Sequence, residues 1–241
     1  MSRSTHLFGL FLSGLAALSI VPAHAAALQV SPVTLDLTVP NRTASINLRN
    51  TDDDPTNVQV RIYKWSQVNG QDRLTPATNV VASPPATTVL PGSTYTIRLA
   101  HLNADSIKGE EDYRLLIDEL PNINVRRRNT SVQFVTRYSI PVFFSDRAAT
   151  ADLSWTVRRR GTSLDVVAAN NGNRHAKIAD LTITAGKNSL HFGAGLNGYV
   201  LPGSTMRWSS ASGAIKAGSH VTITAKGDDY AVNKTAVVSG Q

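Results

Sequence analysis

The sequence contains no cysteine, so no disulfide can staple the fold and packing alone has to hold its core. Histidine is also scarce. Beyond residue 25 it occurs singly, at His101, His175, His191 and His220, with no HxH or HExxH pair. A zinc site would therefore have to be assembled from distant strands. We predict no metal site and no cofactor.

Catalytic motifs are missing as well. The chain has neither a GxSxG nucleophile elbow nor a Walker-type phosphate loop. Asp52, Asp53 and Asp54 are adjacent acids, but such a cluster is more typical of a polar turn than of a calcium loop. We predict no catalytic residue and interpret the protein as a non-enzyme.

Long apolar runs are confined to the N-terminus. Arg3 precedes an apolar stretch from Leu7 to Val21, and Ala23-His24-Ala25 provides small residues around a cleavage point. The stretch is short for a membrane anchor and has the order of a secretory signal peptide. We predict that residues 1–25 are a signal peptide, and we expect no membrane insertion of the mature chain.

The charge balance is basic, with 24 Lys and Arg against 17 Asp and Glu. A basic surface is compatible with nucleic acid or with an acidic partner. Because an exported protein rarely meets nucleic acid, we expect a protein partner that carries a negative group, and no nucleic-acid binding.

Strand-and-turn texture fills the rest of the chain, and no window shows a convincing helical period. Val58–Trp65 alternates, Asn69-Gly70 is a strong hairpin signal, and Tyr113–Leu120 is a strand ending at Pro121. We interpret the region from Pro76 to Pro91 as an irregular connection. The pattern predicts an all-β protein.

An internal repeat divides the chain into two parts. Val89-Leu90-Pro91-Gly92-Ser93-Thr94 recurs as Val200-Leu201-Pro202-Gly203-Ser204-Thr205, and a strand ending at Asn50 has a counterpart ending at Asn170. We predict two related domains, residues 26–146 and 147–241, joined by a linker near Asp146–Ala151. Many short strands with frequent turns are typical of immunoglobulin-like β-sandwiches.

The segment Thr130–Ser145 is the longest alternating run. Its apolar or β-branched stripe consists of Thr130, Val132, Phe134, Thr136, Tyr138, Ile140, Val142 and Phe144. An average strand has about 5–6 residues, so this one extends past an ordinary sheet and leaves backbone unpaired. We hypothesise that the strand is lent to another protein.

These features together resemble the periplasmic chaperones of chaperone–usher pilus assembly, particularly their short-loop or archaic branch. The matching segments run through most of the mature chain, although the second domain matches more weakly. They are LQVSPVTLDL, INLRNTDDDPTNVQV followed by Trp65, Pro84-Pro85, LPGSTYTIRL, YRLLIDELP, IPVFF and LDVVAANNGNRHAKI.

The resemblance implies two immunoglobulin-like β-sandwich domains set at an angle, with a cleft between them. It also implies a periplasmic, non-enzymatic chaperone that folds pilus subunits by donor-strand complementation and delivers them to an outer-membrane usher. Pilus subunits in such systems lack a final strand, which the chaperone supplies by β-augmentation. No nucleotide is required.

The same resemblance assigns roles to single residues. By position along the strand, Thr130, Val132, Phe134 and Thr136 form the donated stripe, whereas Ile140, Val142 and Phe144 belong to the protein's own core. The alternative is that all of them face the protein's own interior, since Phe and Val in strands are usually core residues.

The family's carboxylate anchor is incomplete here. Thr34 and Ser139 occupy the positions where the family often has Arg and Lys. We predict that Arg137 and Arg98 hold the subunit's C-terminal carboxylate instead. Arg98 has a competing role, because the resemblance also places Arg98, Glu119 and Asp229 in an interdomain ion-pair cluster.

Two other classes remain open from the sequence. A two-domain exported pilus subunit or adhesin predicts a free N-terminal donor extension, yet Leu28 already belongs to a strand pattern. An exported enzyme or carbohydrate-binding module needs clustered acids or a row of aromatics, and the tryptophans Trp65, Trp155 and Trp208 are scattered. Self-association of the free protein through exposed strand edges is also left open.

Overall fold

A computed structural model describes residues 28–103, 107–121, 135–228 and 231–240. Throughout these ranges the regular structure is β-strand, and none of the described segments forms a helix long and apolar enough to cross a membrane. The strands assemble into four sheets. The predicted all-β class, with two immunoglobulin-like sandwiches, is confirmed.

Two sheets come from the described strands before residue 146. These strands are β1 (Leu28–Ser31), β2 (Leu35–Thr38), β3 (Thr43–Asn50), β4 (Thr56–Val68), β5 (Gln71–Pro76), β6 (Val80–Ser83), β7 (Ala86–Val89), β8 (Thr94–His101), β9 (Glu110–Leu120) and β10 (Arg137–Ser145). One sheet has the order β1-β3-β8-β6. The other has the order β2-β10-β9-β4-β5, with β7 also paired to β4.

The second pair of sheets follows residue 152. Its strands are β11 (Leu153–Arg160), β12 (Ser163–Asn170), β13 (Ala176–Ala185), β14 (Asn188–His191), β15 (Leu196–Val200), β16 (Thr205–Ala211), β17 (His220–Lys226), β18 (Ala231–Val237) and β19 (Ser239–Gly240). One sheet has the order β16-β12-β11-β19. The other has the order β14-β13-β17-β18, with β15 also paired to β13.

The hairpin predicted at Asn69-Gly70 is present between β4 and β5. Val68 pairs with Gln71, and both turn residues have positive φ, 54° at Asn69 and 73° at Gly70. A two-residue turn with positive φ at both positions matches the twist of the flanking strands, which is why Asn-Gly is favoured there.

The prediction of an irregular connection between Pro76 and Pro91 is wrong in part. Short strands β6 and β7 lie within it, and β6 pairs with β8 whereas β7 pairs with β4. The chain therefore crosses from one sheet to the other at Pro84-Pro85. Because proline cannot donate to a ladder, it marks the point where one pairing ends and the next begins.

Each domain has its own apolar core. In the first, Tyr113, Leu115 and Ile117 of β9 alternate inward against Ile140, Val142 and Phe144 of β10. The expectation that these three β10 residues belong to the protein's own interior is confirmed, since each is at most 5% exposed. A separate cluster that includes Leu164, Val166, Ile178 and Ile223 fills the second domain.

The internal repeat corresponds to the same local structure in both domains. The buried amide of Asn50 donates to the carbonyls of Asp54 and Val89, and that of Asn170 donates to the carbonyls of Arg174 and Val200. Their backbone N–H groups donate to Ser93 O and Ser204 O in the repeated LPGS turns. Each asparagine thus ties the end of a strand to a distant turn.

Both domains hold the linker between β10 and β11. Asp146 N donates to Gly109 O at 2.8 Å, while Asn173 N donates to Thr150 O at 2.9 Å. Gly172 allows this close approach, because a Cβ there would lie 2.3 Å from the carbonyl oxygen of Thr150.

Candidate functional site

The outward face of the first domain's larger sheet leads to the second domain. In the ladder between β9 and β10, Arg137 lies opposite Asp118, Pro141 opposite Arg114, and Phe143 opposite Asp112. Alternation places these side chains on the face opposite Tyr113 and the core. The face therefore runs from a charged pair at one end to an aromatic group at the domain junction.

An apolar cluster at the junction joins the two domains. Trp65 and Phe143 of the first domain pack against Tyr199 and Leu201 of the second. The Trp65 ring centroid lies 6.0 Å from that of Phe143 and 5.7 Å from that of Tyr199. Gln67 adds two hydrogen bonds of 3.0 Å, since its Nε2 donates to Tyr199 O and its Oε1 accepts from Leu201 N.

A buried polar group lies beside this cluster. His175 Nδ1 is 2.8 Å from Glu110 Oε2, and His175 N donates to Glu110 Oε1 at 2.6 Å. The imidazole stacks on Phe143 with a centroid separation of 3.6 Å and an interplanar angle of 12°. Nearby, Arg174 Nη2 donates to Asp36 Oδ2 at 2.6 Å. Among the described residues, the ion pairs between the two domains are those of Arg174 with Asp36 and Glu110.

Burial shifts the titration of this polar group. Loss of solvent raises the pKa of Glu110 to about 7. Burial, together with the neighbouring Glu110 carboxyl, raises the pKa of Asp112 to about 8. Burial lowers the pKa of His175. Negative charge is therefore poorly stabilised at the junction by the protein alone.

Arg114 places a cation against an aromatic ring at the same junction. Its guanidinium carbon lies 3.7 Å from the Trp65 ring centroid and 5.7 Å from that of Tyr199. Partial burial lowers its pKa, but an arginine stays charged at neutral pH. Within the described ranges, no carboxylate lies at ion-pair distance from it. This half-buried cation is suited to binding an anion from outside the chain.

Arg137, in contrast, already has an acidic partner, which it shares with Arg61. Its Nε contacts Asp118 Oδ1, and Arg61 Nη2 contacts the other oxygen of the same carboxylate. Burial raises the pKa of Asp118, but the hydrogen bonds and charges of the two arginines outweigh it and hold this pKa below its usual value. The Arg137 side chain remains 60% exposed, so it is accessible even while paired.

The predicted donor residues are only partly described. Thr130, Val132 and Phe134 lie outside the described residues. Thr136 is half-buried, and its carbonyl accepts a hydrogen bond of 3.0 Å from Glu119 N. This bond extends the ladder between β9 and β10 one residue before Arg137.

The structure does not bring Arg98 and Glu119 together, which corrects the predicted interdomain ion pairs. Arg98 lies exposed on β8, opposite Ser45 and Ser83, in the sheet that lacks β9 and β10. Glu119 accepts a hydrogen bond of 3.4 Å from the Tyr138 hydroxyl. Among the described residues Arg98 has no ion pair, and Asp229 lies outside them. Because Arg98 and Arg137 are on different sheets, they do not form one carboxylate anchor either.

One edge of β10 is unpaired over part of its length. β9 pairs with all of Arg137–Ser145, but the parallel ladder with β2 begins only at Val142. No described strand pairs with the other side of residues 137–141. The backbone there is available to a further strand, and Pro141, which has no N–H, lies at the end of the free edge.

A polar groove also separates the domains. It has a volume of about 570 Å³ and lies between the β4–β5 hairpin and strands β12 and β16. Gln67, Asn69 and Gln71 line one side, and Ser204 and Arg207 line the other. The groove gives the molecule a cleft at the junction.

Sequence reasoning missed three residues of this region, Glu110, Arg114 and Phe143. Arg114 stands within YRLLIDEL, and its two-residue spacing from Asp112 and Leu116 placed it on the face opposite the core. The predicted strand starts at Tyr113 and so leaves out Glu110. A charged residue is not expected at a buried strand position, and the sequence does not show that a second domain covers this one. Phe143 lies on the outward stripe of β10, where strand alternation gives no reason to expect burial. The residues that it contacts are distant in sequence.

Sequence comparison gives a family match for the first domain. The family described as "Pili and flagellar-assembly chaperone, PapD N-terminal domain" matches residues 27–148. A search of curated protein sequences finds no match.

Solved structures share the fold over most of the chain. A chain of the CsuC–CsuE chaperone–tip adhesion subunit pre-assembly complex from archaic Csu pili of Acinetobacter baumannii is 23% identical, with a TM-score of 0.65 over 90% of this chain and 100% of that one. A chain of the Salmonella enterica SafA pilin complex with the SafB chaperone is 14% identical, with a TM-score of 0.62 over 88% and 98%. The Pseudomonas aeruginosa CupB2 chaperone is 18% identical, with a TM-score of 0.58 over 88% and 100%.

Two immunoglobulin-like sandwiches, a junction sealed by aromatic residues and an open edge on β10 define a two-domain protein that can complete a foreign sheet. The family match identifies the class more closely. The chain belongs to the pilus-assembly chaperone family, and it is a chaperone rather than the two-domain pilus subunit considered as the alternative.

Proposed function

We propose that the first domain lends the segment Thr130–Thr136 to a pilus subunit by donor-strand complementation. The observation that carries the proposal is the free edge of β10, where residues 137–141 pair with β9 on one side only. A subunit strand paired along this edge would continue the sheet, and main-chain hydrogen bonds would supply affinity that tolerates different client sequences.

Alternate side chains supply the remaining affinity. In this proposal Val132 and Phe134 fill apolar pockets of the subunit, with Thr130 and Thr136 at the ends of the stripe. Burial of an apolar side chain of this size is worth about 1.5–3 kcal/mol. Burial of Val132 and Phe134 should therefore add measurably to the binding free energy that backbone hydrogen bonds supply.

The C-terminal carboxylate of the subunit docks, in our proposal, at Arg114. This guanidinium lies at the domain junction over Trp65 and has no acidic partner in the described part of the chain. Arg137 can add a second donor from its remaining guanidinium N–H groups, since only its Nε contacts Asp118. Arg98 is left out because it lies on the other sheet.

The cellular setting follows from the same proposal. Residues 1–25 act as a signal peptide, the mature chain works in the periplasm as domains 26–146 and 147–241, and it passes its client to an outer-membrane usher. The protein acts without enzymatic activity, because strand exchange between folded partners needs no bond-making step. The solved complexes with the SafA pilin and the CsuE subunit support a pilus subunit as the client class.

Co-expression with a pilus subunit of the same organism tests strand donation. Phe134→Asp is expected to lower recovery of the complex at least tenfold, because a carboxylate cannot enter an apolar pocket. Val135→Asp is the matched control, since Val135 is 53% exposed and strand alternation would place it on the side opposite Phe134 in the donated segment. Equal recovery with both variants, or a Phe134→Asp chaperone that no longer folds, would contradict the assignment.

A further inference from the structure

Three metal-ligating side chains meet at the domain junction. One ligand atom each from Glu110, Asp112 and His175 lies within 4.8 Å of the other two. Glu110 and Asp112 come from β9 of the first domain, and His175 stands just before β13 of the second. The three residues therefore bridge two domains that are otherwise joined by the linker, the aromatic cluster and a few hydrogen bonds.

All three side chains are buried. The Glu110 side chain is fully buried and the His175 side chain is 5% exposed. Asp112 is 7% exposed, and its Oδ1 accepts no hydrogen bond from any described group. A buried carboxylate oxygen without a donor is costly, and no described lysine or arginine forms an ion pair with it. A cation at this point would supply one.

Charge at the junction is not balanced by the neighbouring basic residues. Arg174 Nη2 engages Asp36 at 2.6 Å, and its Nε is 3.8 Å from Glu110. Lys64 contacts Glu111 at 3.7 Å. Arg174 is thus divided between Asp36 and Glu110, and no described lysine or arginine forms an ion pair with Asp112, so a divalent cation would offset the charge of the two buried carboxylates.

The ligand geometry is already organised. Stacking on Phe143 at 3.6 Å fixes the plane of the His175 ring. The backbone N–H of His175 donates to Glu110 Oε1 and so fixes the position of that carboxylate. Carboxylate oxygens and an imidazole nitrogen are zinc ligands at about 2.0–2.2 Å, and three protein ligands leave a fourth position for water. A cavity of about 320 Å³, lined by Asp36, Arg174, His175 and Asp228, reaches His175 from the surface.

We propose that Glu110, Asp112 and His175 bind a divalent zinc-class cation that clamps the two domains together. This inference is independent of strand donation, since the ligands lie on the far side of Arg114 from the free edge of β10. The ion's role is to hold the junction, not to perform chemistry on a client.

Zinc titration of the EDTA-stripped full mature chain tests the site by calorimetry. Wild type is expected to bind one equivalent of Zn²⁺ and to unfold at a higher temperature with it. Asp112→Asn and His175→Gln should each weaken binding at least tenfold and abolish the thermal shift. His191→Gln and Asp228→Asn are controls for a surface histidine and for the cavity rim, and both should bind zinc as wild type does.

The variants also separate a lost ligand from a lost fold. Asp112→Asn keeps the shape of the side chain, and its unfolding temperature in EDTA should lie close to that of wild type. Absence of zinc binding by wild type, equal binding by Asp112→Asn and His175→Gln, or loss in the controls as well would each overturn the proposal.

Discussion

At the level of single residues, the arginines of the outward face differ in whether they already contact an acidic side chain. Asp118 satisfies Arg61 and Arg137, whereas Arg114 has the Trp65 ring as its main contact. A cation over an aromatic face keeps its charge and its N–H donors. The chemistry of a carboxylate anchor therefore favours Arg114, although the sequence pointed to Arg137 and Arg98.

Arg114→Ala is expected to weaken client capture by about tenfold to a hundredfold, since hydrogen bonds to charged groups contribute about 1.5–3 kcal/mol. The measurement is affinity for a pilus subunit with its natural C-terminus and for the same subunit with an amidated C-terminus. The two changes should not add, because each removes one side of the same contact. Arg73→Ala, on β5, is the control. Additive losses would show that Arg114 does not bind the carboxylate.

Asp118 makes the stability of the first domain sensitive to acid. Its pKa is held below the unfolded value, so its contribution is present above about pH 4 and is lost as pH falls through the folded pKa. The difference in unfolding temperature between wild type and Asp118→Asn should therefore be constant from about pH 7 to pH 5 and should shrink below pH 4. A difference that does not shrink at all as the pH falls below 4 would contradict the assigned ion pairs.

At the level of elements, the sequence of β10 predicts which residues face the core but not which outward residues are buried. The two-residue period predicted that Ile140, Val142 and Phe144 face the core, and they do. Phe143 is on the other face, where an aromatic side chain has no reason to be buried until a second domain covers it. The two-residue period of a strand divides its side chains between two faces, but it does not show what packs against the outward face.

Asn50 and Asn170 provide a matched pair of strand ends. Each buried side chain donates two hydrogen bonds to backbone carbonyls, so replacement by alanine leaves buried acceptors unsatisfied. Asn50→Ala and Asn170→Ala should each reduce the free energy of unfolding by about 1–3 kcal/mol.

Urea unfolding followed by tryptophan fluorescence measures this effect, with Trp65 reporting on the first domain and the junction, and Trp155 with Trp208 reporting on the second domain. Asn50→Ala should lower the urea midpoint of the first domain more than that of the second, and Asn170→Ala should do the reverse. The exposed Asn188→Ala is the control. Loss of stability below about 0.5 kcal/mol in both variants would show that the turns are held by other contacts.

At the level of the whole molecule, the two-domain organisation was predictable and the junction was not. The LPGS repeat and the paired asparagines are local signals, and both correspond to equivalent turns. The junction depends on Trp65, Phe143, Tyr199 and Leu201, which come from distant parts of the chain. Such contacts have no period or spacing in the sequence, and the resemblance that predicts Glu119 in the interdomain ion pairs does not indicate Glu110.

Tyr199→Ala is expected to uncouple the domains. Tyr199 is 3% exposed and contacts both Trp65 and Phe143, so its loss leaves a cavity and should cost about 3–5 kcal/mol of junction stability. Calorimetry should then show two separated unfolding transitions where wild type shows one. The exposed Tyr95→Ala is the control. A single transition in the Tyr199 variant would mean that the linker alone couples the domains.

Backbone hydrogen exchange tests the central claim, that the chaperone lends a strand through its open edge. Exchange is compared between the free mature protein and its complex with a pilus subunit. The account predicts that amides from residue 130 to residue 141, Pro141 excepted, gain protection in the complex, while the exposed hairpin at Asn69-Gly70 does not change. A stable complex in which residues 130–141 exchange as fast as in the free protein would contradict strand donation.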